Sequence, residues 1–280
     1  MGLFLVTGAT GRVGRALVAH LAAQGLPVRA LARHACAATW PDGVQPVDGD
    51  LARPETLDPA LSGVEAVFLF TPLEGPGELA ARARLAGVQR GVLLSSIATQ
   101  KADPRENPIA ARHLAAERAL FASGLPAVVL RPDTFAANAL DWAPSVRQAG
   151  LVRVAYPQSR RVPLHEQDLA EAAAKALVSH AHVGQAWWLT GPRQLSQTEQ
   201  VEAIALAIER PLQMAVLSED EALAQWRARM PEQAARRLLD YLRKCVDQPP
   251  PVSPQLAQVL GRPARDFSEW AQDHRADFGR

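Results

Sequence analysis

Short apolar runs rich in β-branched and aromatic residues alternate, through the first half of the chain, with longer alanine-rich stretches whose apolar positions recur at helical spacing. This switching between a strand-like run and a 3.6-residue period predicts βα units around a parallel sheet. The predicted strands are Leu3 to Thr7, Val28 to Ala32, Val44 to Val47, Ala66 to Phe70, Gly91 to Ser95 and Ala127 to Leu130. Helices are expected over Arg12 to Gln24, Glu78 to Ala86 and Ala110 to Ser123, and Gly25, Gly63, Gly87 and Gly124 fall where helices should stop. After Pro132 the rhythm changes. Helical periods dominate over Phe135 to Gln148, Asp168 to His180, Gln197 to Glu209, Glu219 to Arg229, Pro231 to Val246 and Asp266 to Asp277. Short strands are set among them in "LVRVAYP", "AWWLTGP" and "LQMAVLS". The expected organisation is a doubly wound core over residues 1–132 and a smaller, mostly helical lobe over 133–280. The two are interleaved as one structural unit, with the lobe over the carboxyl ends of the sheet. "DQPPPVSP", residues 247–254, is expected to be a stiff connector rather than a domain boundary.

Composition narrows the partners. A chain of 280 residues with 48% hydrophobic content can bury a substantial core. A formal charge of +1, with acids and bases spread along the chain, leaves no footprint for nucleic acid or an anionic membrane, so a small molecule is the expected partner. Cys36 and Cys245 have neither CxxC nor metal-ligand spacing and are too few for a disulfide framework, which suits ordinary packing in a reducing cytoplasm. "MGLFLVTGATG" has no basic start and breaks at Gly8, unlike a signal peptide or a membrane span, and Val6 excludes myristoylation. His180 and His182 sit at a helix end without acidic or cysteine partners, so no metal site is expected. The protein is expected to be cytoplasmic, as a monomer or homodimer.

The chemistry begins at "FLVTGATGRVGRALVAHL", where Gly8, Gly11 and Gly14 follow a strand and open a helix. Gly8 permits a tight turn, Gly11 a close approach of backbone to a pyrophosphate, and Gly14 close helix–strand contact, while the helix N-terminus supplies N–H groups and positive dipole. Thr10, Arg12 and Val13 complete this cofactor-binding loop. An NAD-selective fold usually ends its second strand with an acidic residue, yet none precedes Asp42 here. Arg33, with His34 beside it, stands there instead, a guanidinium suited to a 2′-phosphate, so NADPH/NADP+ is the expected cofactor. Asp50 and Leu51, after the third strand, either hold the adenine or form a simple turn.

Taken in order, "VTGATGRVG", "DGDL", "AVFLFTPLEG", "GVLLSS", "AAERALFASGLPAVVLRPDTFAAN", "PLHEQDLAEAAAKAL" and "WLTGPRQLSQTE" resemble a short-chain dehydrogenase/reductase of the extended or atypical kind, most similar to the NmrA-like group. The resemblance spans nearly the whole chain. It implies a Rossmann doubly wound parallel sheet with a small C-terminal substrate lobe, and a nicotinamide lying near Ser95, Ser96 and Pro132. It also implies that Thr71 and Pro72 line the cofactor groove, that Ser96 stands at the catalytic Ser/Thr place, and that Asn138 faces the substrate.

One part of the family pattern is missing. Catalytic members carry a YxxxK helix, but anchoring on "RHLAAERAL" puts Ile109 at the tyrosine place, His113 at the lysine place and Glu117 at a following glutamate place. The only tyrosines, Tyr156 and Tyr241, are followed four residues later by Arg160 and Cys245, and the only lysines are Lys101, Lys175 and Lys244. His113 either packs inside the helix, contacts the nicotinamide ribose in the lysine's stead, or relays a proton with a pKa near neutrality. Ser96 can stabilise a developing alkoxide. The expected function is an NADPH-dependent oxidoreductase, a ketoreductase or quinone reductase, acting on a bulky aromatic substrate. An aromatic polyketide ketone of antibiotic biosynthesis is the specific expectation. The alternative, which the NmrA-like resemblance also implies, is a non-catalytic NADP(H) sensor.

Overall fold

The computed structural model describes residues 2–70, 76–101, 103–105 and 107–279, without the side chains of 76, 77 and 101. In chain order the strands are β1 (Leu3–Thr7), β2 (Val28–Ala32), β3 (Gln45–Asp48), β4 (Val64–Phe70), β5 (Arg90–Leu94), β6 (Ala127–Pro132), β7 (Leu151–Val154), β8 (Arg160–Arg161), β9 (Ala186–Leu189), β10 (Leu195–Ser196) and β11 (Gln213–Val216). The helices are α1 (Arg12–Ala23), α2 (Asp58–Leu61), α3 (Pro76–Leu85), α4 (Ala98–Lys101), α5 (Pro108–Ala122), α6 (Ala143–Ala149), α7 (Glu166–Val178), α8 (Gln197–Ala207), α9 (Glu219–Arg227), α10 (Glu232–Asp247), α11 (Gln255–Leu260) and α12 (Phe267–Asp273).

The chain divides into two compact units. The first comprises Met1–Asp133, Glu166–Leu189 and Gln255–Arg262. It holds a seven-stranded sheet in the order β3-β2-β1-β4-β5-β6-β9, parallel throughout. The chain enters in mid-sheet at β1, runs out to β3, then restarts at β4 on the other side of β1. The boundary between β1 and β4 is therefore the switch point at which such sheets open a crevice at their carboxyl edge. Every residue of β5 is buried, which is why the strand reads as a continuous run rather than an alternation. Leu5, Val67, Leu93 and Val129 of the sheet pack with Leu57, Leu61, Leu79, Ala116 and Leu120 of the segments covering it. α3 and α5 pack together, and α1 packs against α7, which also lies on β4, β5 and β6.

Two segments that follow residue 132 belong to the first unit. "AWWLTGP" supplies β9, whose Trp187 and Leu189 are buried beside β6, and the helix expected from Asp168 is α7. α11 is too short to show a period in the sequence. Its last turn is fixed by the Lys175 ammonium, which donates to the carbonyls of Val259 (3.1 Å) and Leu260 (2.6 Å).

The second unit comprises Thr134–His165, Thr190–Pro254 and Pro263–Arg280. β7 and β11 pair in parallel and β8 and β10 antiparallel. Val152, Val154, Ile204, Phe267, Trp270 and Phe278 form its core. The single helix expected over 135–148 is two pieces, a 3₁₀ stretch at Ala136–Trp142 and then α6. Pro144 in the first turn of α6 has no N–H with which to continue the earlier spiral. The helix expected to Asp277 likewise ends at Asp273 and resumes as a 3₁₀ turn, Arg275–Phe278. α9 and α10 enclose a small separate cluster of Ala155, Ala222, Leu223, Ala235 and Leu239, edged by Tyr156, Trp226 and Met230. Cys245 is buried as expected, whereas Cys36 is exposed.

Candidate functional site

β1 ends in Thr7, whose buried hydroxyl donates to the carbonyl of Phe68 (2.9 Å) and accepts from the N–H of Phe70 (2.8 Å). The bond pair pins β1 to β4 at the switch point. The three glycines that follow have three different tasks. Gly8 adopts φ +62°, and a Cβ there would also lie 2.9 Å from the Phe70 ring. At Gly14 a Cβ would sit 2.3 Å from the Gly8 carbonyl oxygen, so α1 can close on the turn only without a side chain. Gly11 is the N-cap of α1, its N–H bonded to the Gly8 carbonyl (2.9 Å), with no side-chain cap and no acidic residue in the first helical turn. Its outer side is bare: a Cβ would meet only the Gly8 oxygen, at 3.2 Å. Thr10, Gly11 and Arg12 are exposed and Val13 half-buried. An uncapped, acid-free helix start behind an exposed glycine fits a pyrophosphate.

Arg33 and His34 follow β2 directly and are exposed. The loop beyond them is ordered by buried Ala35, whose carbonyl accepts from the Trp40 indole (2.8 Å), and by Arg15, 5.5 Å above the Trp40 ring. An acidic side chain does reach this loop, from β3. Asp48 accepts from the N–H of Cys36 (2.9 Å), and that bond holds its carboxyl below the usual range. Linear order hid it, because β2 and β3 pair side by side, Ala32 opposite Asp48. Asp50 makes a turn, its carboxylate accepting from the N–H of Ala52 (3.0 Å), while Leu51 packs against the sheet's core cluster. Thr71 and Pro72 lie outside the described residues.

At the end of β5 the adjacent serines part ways. Ser95 is 3% exposed, and its hydroxyl donates to Glu117 of α5 (2.5 Å), so it has none left for a ligand. Ser96 is half-buried, and its hydroxyl oxygen accepts from the N–H of Ala98 (3.2 Å). A hydroxyl that accepts a helical N–H keeps its own proton to donate. α5 starts at Asn107, whose side chain accepts from the N–H groups of Ile109 and Ala110. Its inner face carries Ala110, His113, Ala116, Glu117 and Leu120, and all but His113 are buried. Ile109, on the same face one turn earlier, is 51% exposed.

His113 is half-buried, with Nδ1 enclosed and without a hydrogen-bond partner. Burial, helped by the charge of neighbouring Arg112, pushes its pKa down to about 4 against the pull of Glu117. The near-neutral pKa expected from the residue type is therefore corrected. At pH 7 the ring is uncharged, offering one donor and one acceptor. An orphaned polar atom at the place where the family pattern has a ribose-binding lysine fits a dinucleotide's sugar hydroxyl.

Other prominent residues have structural work. His180 Nε2 accepts from buried Arg90 (2.6 Å), and His182 stands edge-on to Trp187 at 5.0 Å. Asn138 is exposed on the 3₁₀ stretch of the second unit. Among the described residues no cluster of three or more His, Cys, Asp or Glu could hold a metal, and no helix is long and apolar enough to cross a membrane.

The glycine turn, the Arg33 strand end, the Ser95–Ser96 strand end and the first turns of α5 all belong to the first unit. Residues 8–180, which contain every one of them, match a family model described as NAD(P)H-binding. The chain belongs to this NAD(P)H-binding family. It is similar to the (4-alkanoyl-5-oxo-2,5-dihydrofuran-3-yl)methyl phosphate reductase of Streptomyces griseus, 38% identical over 281 residues and 99% of each chain. It is also similar to the NAD(P)H azoreductase of Xenophilus azovorans, 33% identical over 295 residues and 99% of each chain. The NADPH-dependent quinone oxidoreductase of Escherichia coli, solved with NADPH, shares the fold at a TM-score of 0.78 and 21% identity, covering 96% of this chain and 99% of that one. This member of the NAD(P)H-binding family is an NAD(P)H-dependent oxidoreductase, and both relatives carry the name of a reductase.

Sequence reasoning missed Thr7, which pins β1 to β4, and Arg131, which on β6 bonds the Glu117 carboxylate (2.6 Å). A lone polar residue closing the apolar run "LFLVT" and a charged one closing "AVVLR" were the available signals.

Proposed function

We propose that the protein reduces an electron-poor, conjugated small molecule, a quinone or a ketone conjugated with an aryl or acyl group, in preference for NADPH over NADH. The observation that carries this reading is Ile109. The exposed inner position of α5, where the family pattern has a tyrosine proton donor, is filled by a side chain with no proton to give, and the nearest polar neighbour on that face, His113, is uncharged at neutral pH. General-acid help is worth roughly two to four powers of ten. A substrate that spreads the incoming negative charge over a conjugated system does without most of it.

Bound NADPH supplies the hydride. The chain's own residues bind and orient. The bare start of α1 receives the pyrophosphate, Arg33 the 2′-phosphate, and His113 a ribose hydroxyl, while Ser96 donates a hydrogen bond to the substrate oxygen that gains charge and Ile109 keeps water from it. The names of the two close relatives support the substrate class, one an alkanoyl-oxo-dihydrofuran and the other an azo compound. A bulky aromatic polyketide ketone lies within it.

The test is NADPH consumption by the purified protein against quinones, acyl-substituted dihydrofuranones, azo dyes, polycyclic aromatic ketones and simple unconjugated ketones, with NADH in parallel. Turnover confined to the conjugated compounds and favouring NADPH is expected. Equal turnover of unconjugated ketones would overturn the role given to Ile109, and NADPH binding with no turnover of any of these compounds would overturn the substrate class.

A further inference from the structure

Glu117 is 2% exposed and at the centre of a network linking four elements. Its Oε1 accepts from Ser95 Oγ at the end of β5 (2.5 Å) and from Arg131 Nε on β6 (3.0 Å), and its Oε2 accepts from Arg131 Nη2 (2.6 Å). Thr99 Oγ1, on α4, lies 3.5 Å from Oε1 and donates to the carbonyl of Ser96 (2.9 Å). Glu117 itself stands one helical turn beyond His113 on the inner face of α5. One carboxylate thus ties together the strand end that presents Ser96, the short helix that holds the Ser96 carbonyl, the neighbouring strand and the helix that presents His113.

We propose that Glu117, with Ser95 and Arg131, is a positioning residue for the reductase site, fixing Ser96 and His113 relative to each other without touching substrate or cofactor. A buried ion pair is a poor device for stability alone, because desolvation of both partners offsets most of their attraction and apolar replacements of similar volume serve as well. What it supplies that an apolar contact does not is directional fixation. The fork of Arg131 and the Ser95 hydroxyl together define where the carboxylate lies and hence the rotation and height of α5 against β5 and β6. The proposal rests on the reductase reading only in naming Ser96 and His113 as the parts being positioned.

The experiment compares wild type, Glu117→Gln, Ser95→Ala and the paired replacement Glu117→Leu with Arg131→Met. Four quantities are read: thermal stability, kcat, NADPH dissociation constant by fluorescence, and the His113 ring resonances by NMR. Glu117→Gln is expected to lower kcat about tenfold or more, to leave NADPH affinity within about threefold, and to shift the His113 resonances. The paired replacement removes the buried charges together, so it should recover thermal stability but neither kcat nor the wild-type His113 resonances. Recovery of both along with stability would overturn the proposal, leaving the network a packing element. Unchanged kcat and His113 resonances in Glu117→Gln would overturn it too. If the wild type turns over none of the compounds tested, the substrate reading fails, and the His113 resonances in the variants still decide the positioning claim.

Discussion

Arg262 donates to the fully buried carboxylate of Asp168 at 2.7 Å across ninety-four positions of sequence. Its guanidinium also reaches Glu171 (2.5 Å), so the last segment of the first unit is clasped to the first two turns of α7. Truncating Arg262 would take an ion-pair partner away from the Asp168 carboxylate in the core. A fully buried pair broken this way costs roughly 3–5 kcal/mol, and solvent around a third of the Arg262 side chain reduces the figure to about 2–3. Arg262→Met is therefore expected to lower unfolding stability by that amount in denaturant titrations, with the NADPH affinity of the remaining folded protein unchanged. A loss below about 0.5 kcal/mol would show the clasp to be ornamental.

Gly14 and Gly11 should separate fold from binding. Gly14→Ala places a methyl 2.3 Å from the Gly8 carbonyl oxygen, backbone that cannot yield, so folded protein should be lost or its melting point fall sharply. Gly11→Ala meets the same oxygen at 3.2 Å, a contact relieved by a small shift, while the methyl covers the bare helix start. Its melting point should stay near wild type as the NADPH dissociation constant rises about tenfold, roughly 1.4 kcal/mol. The two variants reversing roles in calorimetry and fluorescence titration would refute this assignment.

The half-buried ring of His113 makes a signed prediction about pH. Its folded pKa, about 4, lies below the unfolded value of 6.5, so between these limits the unfolded chain takes up a proton that the native chain refuses. Stability from this group is intact above pH 6.5 and is lost as pH falls toward 4. Because the ring is partly solvated, the loss is about 1–2 kcal/mol rather than the full ~3 kcal/mol. Replacing the ring by a non-titrating side chain, His113→Gln, should flatten that part of the stability profile relative to wild type. In turnover, the wild-type kcat profile should contain no ionisation from His113 between pH 6 and 8. An inflection in that range abolished by His113→Gln would contradict the uncharged ring.

Cofactor choice should turn on Arg33. Charge-assisted hydrogen bonds to a phosphate contribute about 1.5–3 kcal/mol, so Arg33→Ala should weaken NADPH about 10- to 100-fold and leave NADH within about twofold. Asp48 lies beside this loop and is already occupied by the Cys36 N–H, so Asp48→Asn should change the NADPH-to-NADH ratio far less. A ratio that follows Asp48 rather than Arg33 would identify the wrong side chain as the discriminator.

The six predicted strands of the first half and the glycine turn stood close to their observed places, because burial makes β1, β2, β4, β5 and β6 apolar runs with sharp ends, though β3 is largely exposed, and because only glycine fits Gly8 and Gly14. What stayed illegible is what adjacency across the sheet creates. Nothing in linear order puts Asp48 against the loop after β2, or shows that Ser95 is consumed by Glu117 while Ser96 next to it keeps its proton. The shift of His113 is of the same kind, since residue type sets 6.5 and only enclosure and Arg112 set about 4. Local chemistry misled at Pro144, where an alanine-rich period outweighed a proline that had to break it.

The interleaving of the two units also sets a timetable for the chain as it is made. β6 gains its outer neighbour, β9, only after the fifty-three residues between Pro132 and Ala186 have been synthesised. Through that interval Val129 to Pro132 present unpaired backbone groups along an apolar, open sheet edge, the feature that recruits strands from other molecules. The greatest exposure of this reductase to aggregation therefore falls during its translation, and a ribosome stalled in that stretch would release the form least able to protect itself.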